Sequence, residues 1–219
     1  HAFIEMKRRI ERAMEQRTTM LNGVSHDLRT ILTRFRLSLA LVEQTSEIED
    51  LSRDVDEMSR MLEGYLAFAR GDSAEPATPT DMRALLEDLR SDVERLGAHV
   101  SAVDLVGAPE ITVRPGAFRR CLFNLAANAA RYAETVAISG RLEARAFFVS
   151  IDDDGPGIPP ESREAVFKPF VRLDDARQDA GGSGLGLAIA RDIARAHGGD
   201  ITLQDSPLGG LRATVRVPA

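Results

Sequence analysis

The 219 residues hold one cysteine, no tryptophan and two tyrosines. A lone thiol excludes a disulfide framework and a thiolate-built metal site, and Cys121, beside Leu122 and Phe123 in a helical stretch, reads as a small buried side chain. No apolar run approaches the roughly 18 residues that cross a bilayer, and no signal peptide is recognisable, so the stretch reads as soluble and cytoplasmic. An excess of positive charge is also lacking. Lys and Arg number 28 against 34 Asp and Glu, a net charge of -6, which argues against a nucleic-acid partner. The chain begins at His1, which reads as part of a longer protein whose sensory or membrane segment lies upstream. Its length allows two small domains, each with its own core.

Proline is absent from roughly residues 3 to 45, and there Leu21, Val24, Leu28, Ile31, Phe35 and Val42 follow alternating steps of three and four, with Ser38 the one polar intruder, a coiled-coil seam. Ile48, Leu51, Val55, Met58, Leu62, Tyr65 and Ala69 repeat the pattern, predicting an antiparallel helical hairpin over 1–70. Leu32, Leu39, Met61 and Leu66 widen the apolar stripe beyond what one hairpin can bury. Two hairpins pairing into a dimeric four-helix bundle would cover it, so a homodimer is expected. Residues 71–80, with two prolines among small polar residues, read as a linker. Over 81–219, Asp81 or Thr80 caps a helix to about Leu96. Strands follow near 100–106 and 111–113, then a helix over 115–133, strands over 135–139 and 146–152 joined by a turn at 140–145, a helix from near Leu185, and strands near 201–204 and 211–217. The fold class is α+β, the hairpin being followed by an α/β sandwich.

Counting Leu21 as a and Val24 as d places His26 at f, facing away from the seam. Asp27 adjoins it and Thr30 lies one turn on, on the same face. A neutral imidazole attacks phosphorus through one nitrogen, and a carboxylate that accepts the proton on the other fixes the tautomer and raises nucleophilicity. Thr30 is placed to orient a water for the reverse hydrolysis, although a plain surface threonine fits the spacing equally well. Asn124 and Asn128, four apart within a helix that disfavours asparagine, share a face with Arg131 and Tyr132. An amide oxygen is a suitable hard ligand for Mg²⁺, which bridges nucleotide phosphates. In Asp153-Asp154-Gly155-Pro156-Gly157, a strand delivers a carboxylate to a turn whose glycines let a flat ligand reach the backbone, and Asp153 can accept from the exocyclic amine of adenine. In Gly182-Ser183-Gly184-Leu185-Gly186, main-chain N–H groups and a helix N-terminus can cradle phosphates. It is neither a Walker loop nor a dinucleotide fingerprint. Residues 171–183 read as a mobile lid based on Phe167 and Phe170.

These segments resemble, in order and spacing, the bacterial sensor histidine kinases of two-component systems, over nearly the whole chain. His26 matches their H box, Asn124 and Asn128 the N box, Asp153 to Gly157 the G1 box, Phe167 to Phe170 the F box, and Gly182 to Gly186 the G2 box. The resemblance implies a dimerisation and histidine-phosphotransfer bundle followed by a Bergerat-type ATP-binding domain. It implies ATP and Mg²⁺, with Asp153 on adenine, Asn128 with Asn124 on Mg²⁺ and phosphates, and Gly182, Gly184 and Gly186 at the phosphate loop. It implies phosphorylation of His26 with help from Asp27, transfer to a response-regulator aspartate, and regulator dephosphorylation assisted by Thr30. It further implies an upstream sensor and an inner-membrane anchor. A phosphotransfer hub or pseudokinase without ATP turnover is the alternative. One departure stands out: where the family's H box carries proline, this chain has Ile31, which predicts a straighter, stiffer first helix.

Overall fold

The computed structural model describes residue 5 and residues 27–42, 45–70, 75–107, 109–173 and 184–219, without the side chains at 57, 60, 61 and 63–70. The chain divides into two compact units, the helical N-terminal part and the α/β remainder.

In the first unit, α1 (27–40) and α2 (Ser46–Arg70) are joined by a short connection. Arg36 Nε lies 3.1 Å from Asp56 Oδ1, a pairing that such a connection permits only between antiparallel helices. α1 runs through Ile31 unbroken, as a residue with its own N–H allows. Leu32 is buried and Leu39 half-buried, and Ile48, Ser52, Val55, Ser59 and Leu62 of α2 are half-buried at heptad spacing. Leu28, Ile31, Phe35, Val42, Leu51 and Met58 stay exposed. On α1 Leu32 and Leu39, read as widening the stripe, thus face inward, on α2 the seam residues Ile48, Val55 and Leu62 do, and the exposed seam residues form a second apolar face; the side chains of Met61 and Leu66 lie outside the described residues. Leu21 and Val24 lie outside the described residues.

The second unit opens with β1 (Thr78–Asp81), antiparallel to β3 (Glu110–Val113). Thr78 to Thr80, expected in the linker, belong to this strand. Pro79 hides this strand, because proline is tolerated only where no ladder donor is needed. Asp81 then caps α3 (Met82–Arg95), its carboxylate accepting from the Arg83 and Ala84 N–H groups at 2.8 and 3.3 Å. β2 (His99–Val106), α4 (Pro115–Tyr132), β4 (Thr135–Glu143), β5 (Ala146–Asp153), α5 (Gly186–Ala196), β6 (Asp200–Asp205) and β7 (Leu211–Pro218) complete it.

The main sheet runs β2-β4-β5-β7-β6, with β2 parallel to β4 and every other pair antiparallel. Its pleat sorts the strands by alternate residues. Val136 and Ile138, then Phe147, Val149 and Ile151, then Ala213, Val215 and Val217 are buried, while α3, α4 and α5 pack on the sheet. β4 extends beyond the expected Ser139, so the β4–β5 turn is only Ala144 and Arg145. Gly140 therefore lies within the strand, where a Cβ would approach Leu105 Cδ1 to 2.8 Å and Phe147 Cζ to 3.2 Å. Among the described residues no helix is long and apolar enough to cross a membrane.

Candidate functional site

Alternation along β5 puts Asp153 on the face of Phe147, Val149 and Ile151, and it is only 5% exposed. Its Oδ1 accepts from the Gly155 N–H at 2.9 Å and from the Leu211 N–H at 3.0 Å. Burial pushes its carboxyl above the ordinary aspartate value, against the pull of those two donors. The neighbouring Asp154 behaves oppositely. It is exposed, its Oδ1 accepts from the Thr135 and Glu134 N–H groups at 2.9 and 3.0 Å, and these bonds, led by that from Thr135, hold it below the ordinary value. One carboxylate ties the G1 turn to β7, and the other ties it to the junction of α4 and β4. Asp152 points away from both, in a two-bond pair with Arg212 at 2.7 and 2.9 Å.

Close backbone approach explains the glycines here. A Cβ on Gly155 would come 2.8 Å from the Tyr132 carbonyl oxygen, and one on Gly210 would collide with Asp153 and the Gly155 nitrogen. Gly157, at φ +70°, faces Gly210. Gly210 and Leu211 were missed in the sequence reading. The Gly209-Gly210 doublet was an available signal, whereas a backbone donor such as that of Leu211 leaves none.

Asn124 and Asn128 are half-buried on α4, and Arg131 and Tyr132 are exposed beyond them. Leu122, Leu125, Ala126 and Ala129 are buried as expected. Asn124 Nδ2 is buried and makes no hydrogen bond, an unmet donor of the kind that native interiors keep for a ligand or water. Cys121 is fully buried, its thiol contacts the Ala190 carbonyl at 3.2 Å, and burial pushes it up to about 12, so it is no nucleophile.

The F and G2 segments meet at Phe170 and Gly184, both in the left-handed region at φ +65°. The Phe170 N–H donates to the Gly184 carbonyl at 3.0 Å, and a Cβ on Gly184 would press on Phe170 Cα at 3.0 Å. Leu185 is buried, so any ligand contact there falls to its backbone, and Gly186 opens α5 close to the Asn124 carbonyl. Arg191 holds the F segment in place. It pairs with Asp200 at 2.8 Å and Glu164 at 2.5 Å, and its guanidinium lies 4.3 Å from the Phe167 ring centre. Burial opposes ionisation of Asp200, but Arg191, the Ile201 N–H and Arg195 outweigh it and hold the carboxyl at about 2.

On α1, Asp27 and Thr30 are exposed. His26 and Gly182 lie outside the described residues, as do 174–181 and Ser183 of the segment read as a lid. Among the described residues no cluster of three or more His, Cys, Asp or Glu could hold a metal. Asn124 and Asn128 offer amide oxygens, hard donors of the kind Mg²⁺ accepts.

Residues 114–219 match the family of histidine kinase-, DNA gyrase B- and HSP90-like ATPases, and residues 16–74 match the His kinase A phospho-acceptor domain. The histidine kinase domain of the Escherichia coli osmosensor EnvZ, solved by NMR, is 33% identical with a TM-score of 0.52, covering 68% of this chain and 92% of that one. The chain belongs to the sensor histidine kinases. Full-length ShkA, crystallised in complex with AMPPNP, has a TM-score of 0.71 at 26% identity over 91% of this chain and 45% of its own. The sensor histidine kinase GtrS of Pseudomonas aeruginosa is 37% identical over 220 residues, 99% of this chain and 45% of the relative. This kinase chain spans about half the length of the curated relatives it matches.

Proposed function

We propose that the chain binds ATP in its α/β unit, phosphorylates His26 and passes the phosphoryl group to an aspartate of a response regulator. The observation that carries this reading is Asp153, a buried carboxylate whose Oδ1 is committed to two backbone donors, which fixes how its other oxygen meets an incoming amine. Adenine donates through that amine, and Gly155, Gly157 and Gly210 allow the close backbone packing that holds Asp153 in position. Asn124 and Asn128, with Arg131 and Tyr132 beyond them on α4, face the phosphates. Gly182, Gly184, Leu185 and Gly186 offer backbone N–H groups ahead of α5, whose N-terminus favours anions. Asn128, with Asn124, would hold Mg²⁺, which neutralises phosphate charge when bound. Positioning and charge neutralisation dominate phosphoryl transfer, so few catalytic side chains are required.

In the transfer, one imidazole nitrogen of His26 bonds to the γ-phosphorus as the bond to the β–γ bridging oxygen breaks and ADP leaves. Asp27 accepts the hydrogen bond of the other nitrogen. Thr30 orients water for dephosphorylation of the regulator. The exposed face of Leu28, Ile31, Phe35, Leu51 and Met58 pairs with a second copy of the hairpin, giving a homodimer. The chain acts as the cytoplasmic portion of a longer, inner-membrane-anchored sensor, a reading supported by relatives about twice its length. Residues 1–70 serve as the phosphotransfer hairpin and 81–219 as the ATP-binding domain.

Incubation with γ-labelled ATP and Mg²⁺ tests the reading. Acid-labile, alkali-stable label is expected on the parent and absent from His26→Ala. ATP binding without label would instead favour the phosphotransfer hub.

A further inference from the structure

α4 carries both asparagines, yet it is not capped by its own sequence. Arg114 stands at the cap position and makes no side-chain cap bond. The cap comes from Glu75, at the end of the stretch that follows the phosphoacceptor hairpin. Its Oε1 accepts from the Gly116 N–H at 2.8 Å and its Oε2 from the Ala117 N–H at 3.0 Å. Gly116 makes room, since a Cβ there would lie 3.1 Å from Oε1. The same corner holds the end of α5, where His197 Nε2 accepts the Arg114 N–H at 3.1 Å and Nδ1 lies 2.8 Å from the Ile193 carbonyl. Chain arriving from α2 is thus fastened to the start of one site-bearing helix, beside the end of the other.

The fastening sets a length. Arg70 closes α2, and five peptide steps lead from it to Glu75, a reach of about 18 Å at most. If Glu75 lets go while β1 stays paired from Thr78, eight steps separate the last residue of α2 from the first held residue, a reach of about 29 Å. We propose that Glu75 is a positioning residue for phosphorylation of His26: its grip on α4 keeps the tether between hairpin and ATP-binding unit short. The inference rests on the kinase reading above. Beyond the span it must bridge, a tether gives an effective concentration that falls roughly as the −3/2 power of its length, so releasing Glu75 lowers it about twofold.

In the full chain, Glu75→Ala is expected to label His26 about two- to threefold more slowly at saturating ATP, with ATP affinity held within about 1.5-fold. Deleting residues 72–74 from Glu75→Ala returns the tether to its original length, and the parent rate should return with it. A loss of local capping alone would not be repaired by shortening the chain. Equal rates for parent and Glu75→Ala, affinity falling in step with rate, or failure of the deletion to restore the rate would each overturn the proposal. If the parent itself takes no label, the kinase reading has failed and the tether is read by trypsin cleavage after Arg70. That cleavage should then be faster in Glu75→Ala, and an unchanged rate would count against Glu75.

Discussion

Asp153 and Asp154 are covalent neighbours with opposite electrostatics. Burial works against the charge of Asp153, whereas backbone donors favour that of Asp154. Asp153→Asn separates the fold from ligand binding. The amide oxygen can still accept from Gly155 and Leu211, and an ionised buried group disappears, so the melting temperature should hold or rise. The backbone bonds then leave the amide NH₂ where an acceptor is needed, and a donor cannot receive the adenine amine. ATP affinity should fall at least about tenfold, 1.4 kcal/mol or more, by calorimetry. A melting temperature lowered alongside unchanged affinity would contradict the assignment. Asp153, both asparagines, Gly155, Gly157, Gly184 and Gly186 stand out in the sequence by residue type and spacing, whereas Gly210 does so only through its doublet with Gly209. Leu211 and Arg191 were not legible there, because one acts through its backbone and the other through carboxylates distant in sequence.

Among the elements, alternation exposed the strands of the main sheet, and proline and glycine marked helix ends. β1 escaped because four residues containing Pro79 make no period. The hairpin's apolar pattern was legible, but not how it divides: Leu32 turns inward while Leu28, Ile31 and Phe35 stay exposed, since heptad spacing alone does not say which of two apolar faces meets which neighbour. α1 continues through Ile31, so Ile31→Pro should remove a backbone hydrogen bond, bend the helix and destabilise the hairpin by about 3 kcal/mol. We expect the ratio of autophosphorylation to regulator dephosphorylation to change with it; a paired assay giving the same ratio for both chains would discard the idea that stiffness at this position sets the balance.

For the molecule as a whole, acid is the stress to which these ion pairs and backbone-held carboxylates are tuned. Asp200 is held at about 2 against an ordinary 3.8, and Asp154 and Glu75 are also lowered. A group depressed in the folded state contributes stability above its unfolded pKa and loses it as pH falls through the folded value. Asp153, raised by burial, has the opposite sign and offsets part of the loss. Thermal midpoints should therefore stay level from pH 7 to about 5 and drop between about pH 4 and 2. Asp200→Asn should flatten the lower part of that drop, and a parent midpoint that climbs below pH 4 would refute it.

β7 lies between β5 and β6 although it is the last strand in the chain, and its Leu211 N–H is one of the two donors on Asp153. The hairpin depends on contacts close in sequence, which form quickly, whereas the sheet must wait for pairings such as Phe147 with Val217. During synthesis the phosphoacceptor helices can therefore fold while most of the other unit is still untranslated. The Asp153 carboxylate receives its second backbone bond only after β7 has left the ribosome, so the helical unit can take shape before the turn at the end of β5 is locked.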